Sequence, residues 1–172
     1  MSGIVRKIDE LGRIVIPKEI RKVLGIKQGS DISIKTDGDA IVLNKFCPIT
    51  TIENYVDTIA NTLFDYTGYS VIVTNQEKII ACVGLSKNEF FNKPLKESLL
   101  DEVKCMYNND VYDIIDNQST KILAMCVVPI VVQGRILGSI ILVDKTNHNK
   151  QISDTTKDIT KCMAHYISSL LY

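Results

Sequence analysis

The sequence is poor in the residues that most chemistry needs. Among 172 residues there are only two histidines, His148 and His165, and no tryptophan. Five cysteines are spread over Cys47, Cys82, Cys105, Cys126 and Cys162 with no CxxC spacing. That odd, scattered set matches no metal-ligand pattern and no disulfide framework, so the cysteines are expected as buried or free thiols and no metal is expected. A glycine-rich phosphate loop, HExxH and GxSxG are all missing, and no nucleophile and base stand together. No catalytic residue and no cofactor is therefore assigned, and an enzyme is not expected. His165 lies between apolar positions of a helix and reads as structural.

Long apolar runs are also missing. The most apolar stretch, residues 122–143, is broken by Gln133-Gly134-Arg135 and contains Pro129. It reads as a core hairpin, not a membrane span. No secretory pattern opens the chain, because the first residues lead straight into alternating Ile4-Val5-Arg6-Lys7-Ile8. The expected location is the cytoplasm. An excess of charge of either sign is lacking too: 20 Lys and Arg face 20 Asp and Glu. Taken alone, that balance argues against a nucleic-acid partner.

Splitting the chain reverses the inference. Residues 1–46 carry nine basic and six acidic side chains, a net +3, and residues 47–172 carry 11 and 14, a net −3. Cys47-Pro48 follows the last strand-like run of the first part, and proline fixes φ and stops sheet pairing. The expected organisation is a first domain at 1–46, a linker at 47–50 and a second domain at 51–172.

In the first domain, residues 4–8 and 13–16 read as strands around an Asp9-Glu10-Leu11-Gly12 turn. Pro17 suits the first position of a two-turn helix and Gly25 the position just past its end. Residues 31–36 and 40–45 form a hairpin around Asp37-Gly38-Asp39. Forty-six residues with one Phe and no disulfide bury little apolar surface alone, so an obligate dimer is expected. On the helix, Lys18, Arg21 and Lys22 fall on one side, with Ile20, Val23 and Leu24 roughly opposite. Arg6 and Lys7 precede the turn and Arg13 follows it. Such a cationic set neutralises phosphates and reads guanine edges in a DNA-binding protein, or it is simply a solvated face. Asp9, Glu10 and Glu19 lie nearby as offsetting charges, and pattern alone leaves both readings open.

The second domain reads as helix, hairpin, helix, hairpin, helix. A helix over 50–67 opens with a Thr50-x-x-Glu53 capping box and closes at Gly68. Residues 70–75 and 78–83 form one hairpin, and 121–132 and 135–145 another. A helical stretch near 94–107 precedes a polar loop at 108–120, and 153–172 is amphipathic. The fold class is α+β with an antiparallel sheet.

The string GIVRKIDELGRIVIPKEIRKVLGI at residues 3–26 resembles the DNA-binding module of the AbrB family of transition-state regulators, whose pattern GIVRxxDxLGRxVIPxExR it follows closely. Phe46-Cys47-Pro48-Ile49, Gly68-Tyr69-Ser70-Val71, Ser86-Lys87, Asn92-Lys93-Pro94 and Pro129-Ile130-Val131-Val132 before Gly134 and Gly138 resemble the longer sporulation regulators of that family, which join an AbrB-type domain to a GAF-like domain. The resemblance implies a swapped-hairpin β-barrel in which two chains interleave, binding double-stranded DNA as a transcriptional regulator of sporulation genes, activator or repressor by promoter. Family contacts to DNA carry over onto Arg6, Arg13 and Arg21. Lys7 and Lys22 stand where relatives often have arginine, and they look like phosphate contacts because lysine lacks the bidentate fork. Lys18 completes the expected DNA-binding set. The GAF-like half implies oligomerisation, with the helices at 50–67 and 153–172 turning two dimers into a tetramer, and an unknown small molecule as a further partner. Cys82, Cys105, Cys126 and Tyr107 are candidates to line its pocket, with core packing as the alternative. Two other functions stand beside this one: an AbrB-fold antitoxin, or a small-molecule receptor without regulatory DNA binding.

Overall fold

The computed structural model describes residues 3–96, 110–113, 121–144 and 152–171, with the backbone alone at 110–113 and 121–125. The chain packs as two units, Met1–Phe46 and Cys47–Tyr172. No helix among the described residues is long and apolar enough to cross a membrane.

The first unit contains helix α1 (Lys18–Val23) and the hairpin β1 (Ile32–Asp37) with β2 (Ala40–Lys45). The hairpin closes through Gly38-Asp39, and Gly38 takes a φ of 55° that a side chain would disfavour. Gly25 similarly ends α1 at φ 63°, while Pro17 sits just outside the helix as its N-cap instead of at its first position. The expected strands at 4–8 and 13–16 are not formed within the single chain. Their turn is: Gly12 N donates to Asp9 O at 3.0 Å and Asp9 N to Arg13 O at 3.0 Å. A strand exists only where another strand satisfies its backbone groups, and the described residues supply the first hairpin with none beyond the turn.

The second unit is a five-stranded antiparallel sheet of order β4-β3-β7-β6-β5. Its strands are β3 (Ser70–Asn75), β4 (Ile79–Val83), β5 (Asp110–Asp113), β6 (Lys121–Val132) and β7 (Arg135–Val143). Its α-helices among the described residues are α2 (Glu53–Thr67), α3 (Lys87–Phe90) and α4 (Asp154–Ser169). The central strands are hydrophobic almost throughout, because both faces of the sheet are covered. On one face Val71, Val73, Cys126, Val128, Ile140 and Leu142 pack with Ile59 and Leu63 of α2 and Ile167 of α4. On the other, Ile72, Cys82, Val127, Ile141 and Val143 pack with Phe90 and Leu95. A buried side chain of this size contributes about 1.5–3 kcal/mol. The β6–β7 turn places both Gln133 (φ 49°) and Gly134 (φ 76°) in the left-handed region, as a two-residue hairpin turn with matching twist requires.

Three expectations change here. Residues 47–50 are not a linker: Pro48–Ile52 is a 3-10 helix, and Ile49 is fully buried in the second unit's core. Thr50 and Glu53 make no capping box, because Thr50 Oγ1 donates to Cys47 O at 2.8 Å within that 3-10 turn and α2 starts only at Glu53. The loop expected at 108–120 contains β5, whose backbone pairs with β6 from Asp110↔Ala124 to Asp113↔Lys121. Acidic residues tolerate an edge position, since only one side of the strand is paired. The C-terminal helix begins as expected, with Ser153 accepting from Thr156 N at 3.1 Å. Most of the helix expected near 94–107 lies outside the described residues.

Candidate nucleic-acid interface

All six expected DNA contacts fall on the first unit, and all six are exposed. α1 presents the side chains of Lys18, Arg21 and Lys22 without a hydrogen bond or ion pair to any of the described residues, and the Lys7 side chain is likewise unengaged among them. Arg6 Nη1 reaches only its neighbour Val5 O, at 3.4 Å. These side chains keep their donors and their charge for an external acceptor.

Arg13 differs. Its Nε donates to Asp9 Oδ2 at 2.8 Å, while Asp9 Oδ1 accepts from Leu11 N at 3.0 Å and from Arg13 N at 2.8 Å. Both oxygens of Asp9 are thereby committed inside its own turn. These bonds, chiefly those from Arg13, hold the carboxyl below the usual aspartate value of 3.8, against a smaller opposing effect of burial. In the sequence Asp9 reads as the first residue of a turn and as an offsetting charge, and its bond to Arg13 is not read there. The spacing Asp9-x-x-Gly12-Arg13, with Gly12 at φ 75°, is the available signal for a side chain returning to its own turn.

The apolar side of α1 is left largely uncovered by the described residues. Val23 is 84% exposed, and Val5, Leu11 and Val15 exceed 70%. Pro17 is the single buried residue described in this unit.

The comparisons with known proteins divide along the same line. The family described as "Stage V sporulation protein T C-terminal, transcription factor" matches residues 51–171. Over 150 residues, 84% of each chain, the sequence is 33% identical to stage V sporulation protein T of Bacillus subtilis. The chain belongs to the stage V sporulation protein T family. In this family member, residues 5–52 also match the family described as "Antidote-toxin recognition MazE, bacterial antitoxin". Fifty residues, 29% of the chain, are 50% identical to the transition state regulatory protein AbrB of B. subtilis and span 52% of that protein. The first domain is AbrB-like. The second takes the GAF fold: it resembles the GAF domain of an Acinetobacter phosphoenolpyruvate-protein phosphotransferase with a TM-score of 0.52 and 10% identity, over 72% of this chain and 87% of that one.

Within the GAF-like domain the expected pocket cysteines separate. Cys82 and Cys126 are both buried, but on opposite faces of the sheet. They are core residues that share no pocket. Cys105 and Tyr107 lie outside the described residues. Burial raises the Cys126 thiol above its ordinary value, with Lys157 and Lys161 pulling weakly the other way. No group of three or more metal-ligating side chains occurs among the described residues. Across α2 and α4, Thr62, Leu63, Tyr66, Ile159 and Met163 line an open apolar groove of about 280 Å³.

Proposed function

We propose that the chain is a DNA-binding transcriptional regulator of sporulation genes, working as activator or repressor by promoter and carrying no catalytic activity. The observation that carries this reading is the group of exposed cations at Arg6, Lys7, Lys18, Arg21 and Lys22, held on the AbrB-like segment with no carboxylate among the described residues to satisfy them. Phosphates of a duplex supply the missing acceptors, and release of counterions supplies much of the affinity. Arg13 belongs to the same surface. The regulator works in the cytoplasm, on the nucleoid.

The assembly is an interleaved dimer through residues 1–46. Its support is the uncovered apolar set of the first unit together with the unpaired first hairpin: a second chain covers the one and pairs the other. The GAF-like domain then joins two dimers into a tetramer through α2 and α4, which carry the exposed Tyr55, Tyr66 and Tyr166 as well as the apolar groove. Two linked DNA-binding units raise occupancy through effective concentration. A small molecule is a further proposed partner of this domain.

Replacing Arg21 or Arg13 by Ala tests the surface. Each folded variant is expected to bind promoter DNA more weakly, with the salt slope reduced by about one unit for each phosphate that the variant chain no longer neutralises. Wild-type affinity at every salt concentration would remove these residues from the interface.

One observation favours a second reading, the match of residues 5–52 to a bacterial antitoxin family. An antitoxin of that kind blocks its toxin with a disordered tail, whereas here the residues after 52 include a sheet with a covered core on both faces. DNA binding that needs no protein partner separates the two.

A further inference from the structure

Among the described residues Arg13 is the one expected DNA contact that already has a carboxylate, and for a residue whose task is to neutralise phosphate that arrangement is counterproductive. The pair cancels most of the charge Arg13 would bring to a phosphate, and an exposed pair of this kind adds little to stability. What it does fix is direction. Asp9 is held first: Oδ1 accepts two backbone amides, Leu11 N and Arg13 N, so the carboxylate is locked to the turn that Gly12 closes. Oδ2 then takes Arg13 Nε at 2.8 Å, although the Arg13 side chain remains 71% exposed. The guanidinium has five N–H donors in a rigid plane. With Nε occupied, its side-on edge is blocked, and Nη1 and Nη2 with four N–H groups are left unbonded among the described residues. A cation with little net charge and a pre-aimed two-pronged end suits a neighbouring pair of acceptors, such as O6 and N7 on a guanine edge.

We propose that Asp9 is a positioning residue that holds the Arg13 guanidinium end-on for bidentate recognition of a base edge, making Arg13 the sequence-reading contact of a surface whose other cations bind phosphate. This rests on the DNA-binding function proposed above and adds a division of labour to it. Affinity comes from the unpaired cations and selectivity from the paired one. Ordering the side chain before DNA arrives also lowers the entropic cost of the contact.

The test compares two duplexes in the full-length protein: one selected by the wild-type protein from a random-sequence pool, and one of the same composition shuffled. Asp9→Asn keeps an oxygen for the two backbone amides but turns an amide or a neutral oxygen toward Nε. The expected result is a fall of about tenfold or more in affinity for the selected duplex. Affinity for the shuffled duplex should be unchanged or higher, because a negative charge has gone. Arg13→Lys keeps the charge and loses the fork, so it should give the same pattern even if Asp9→Asn fails to fold. Combining the two should cost selectivity no more than Arg13→Lys alone. An unchanged ratio between duplexes in Arg13→Lys, an equal loss on both duplexes in stably folded Asp9→Asn, or independent additive losses in the double variant would overturn the proposal. So would a selection that enriches no sequence. Failure of the wild-type protein to bind either duplex at low salt is distinguishable from these, and would instead remove the DNA-binding function itself.

Discussion

The two units handle apolar residues in opposite ways. Apart from Pro17, every buried apolar side chain described lies at or beyond Ile49, whereas the first 46 residues leave Val5, Leu11, Val15, Val23, Ile34 and Ile41 more than 65% exposed. Composition alone does not cause this, since both segments are rich in Ile, Leu and Val. The difference is one of closure. The second unit has enough chain to cover both faces of a five-stranded sheet, and the first has a turn, a short helix and one two-stranded hairpin, too few layers to enclose anything. A unit that is regular yet uncovered is expected to be completed by a second copy, and that contrast can be broken or sharpened experimentally.

The largest effect should come from placing a charge where only a dimer would bury it. If residues 13–16 pair as a strand across chains, alternation puts Ile14 on the face opposite Arg13. Ile14 is 52% exposed in the single chain, so Ile14→Asp would be nearly neutral in a monomer. In an interleaved dimer it should cost about 3 kcal/mol or more, as burial of an unpaired charge does. Light scattering should then show dissociation, with DNA binding abolished alongside.

A second change tests the self-contained unit. A Cβ added at Gly138 on β7 would run into the carbonyl oxygen of Thr74 on the adjacent strand β3, a backbone atom that cannot swing aside. Gly138→Ala should therefore destabilise the GAF-like domain by several times RT, about 2 kcal/mol or more. The loss, read as a lower denaturant midpoint for that domain, should not depend on protein concentration. A concentration-dependent loss would mean that the second unit, too, is completed by a partner.

Cysteine labelling discriminates more finely. Cys82 and Cys126 are 1% and 2% exposed, and the Cys126 thiol is held further from its reactive thiolate by burial. Both should react with an alkylating reagent only after unfolding. Cys162, exposed on α4, should react readily in any form that leaves α4 uncovered and slowly in a tetramer joined through that helix.

The smallest effect is confined to the first turn. Because Asp9 titrates below its unfolded value, the bonds it makes are fully present above the unfolded pKa and fade as pH falls through the lower folded one. A carboxyl-carbon NMR titration should give Asp9 a midpoint below 3.8 that rises only part of the way back in Arg13→Ala, which removes the Nε bond but keeps the backbone amide of residue 13. A normal midpoint in the wild-type protein would mean that the turn is not held as described.

Local features are readable wherever one chain satisfies its own backbone. The β1–β2 and β6–β7 hairpins, α1 with Gly25 after it, the Gly68 end of α2 and the amphipathic run of α4 all follow from turn residues and periodicity. What escapes reading depends on something that residue patterns do not carry. The strands expected at 4–8 and 13–16 have no partner among the described residues, and β5 is acidic enough to read as loop although β6 recruits it. Thr50 spends its hydroxyl on a 3-10 turn instead of a cap. Among the candidate interface residues the cationic set is legible from spacing and resemblance, but the role of Asp9 is not. Its charge argues one way in a count and another once both its oxygens are placed.

The central claim is that residues 1–46 form half of a two-chain DNA-binding unit. The most direct measurement is the light-scattering mass of the full-length protein, alone and saturated with a short duplex. The expected result is a free mass of at least twice 19.3 kDa at every accessible concentration, with duplex bound only by that assembled form. A 19.3 kDa species that binds DNA one chain at a time would contradict it.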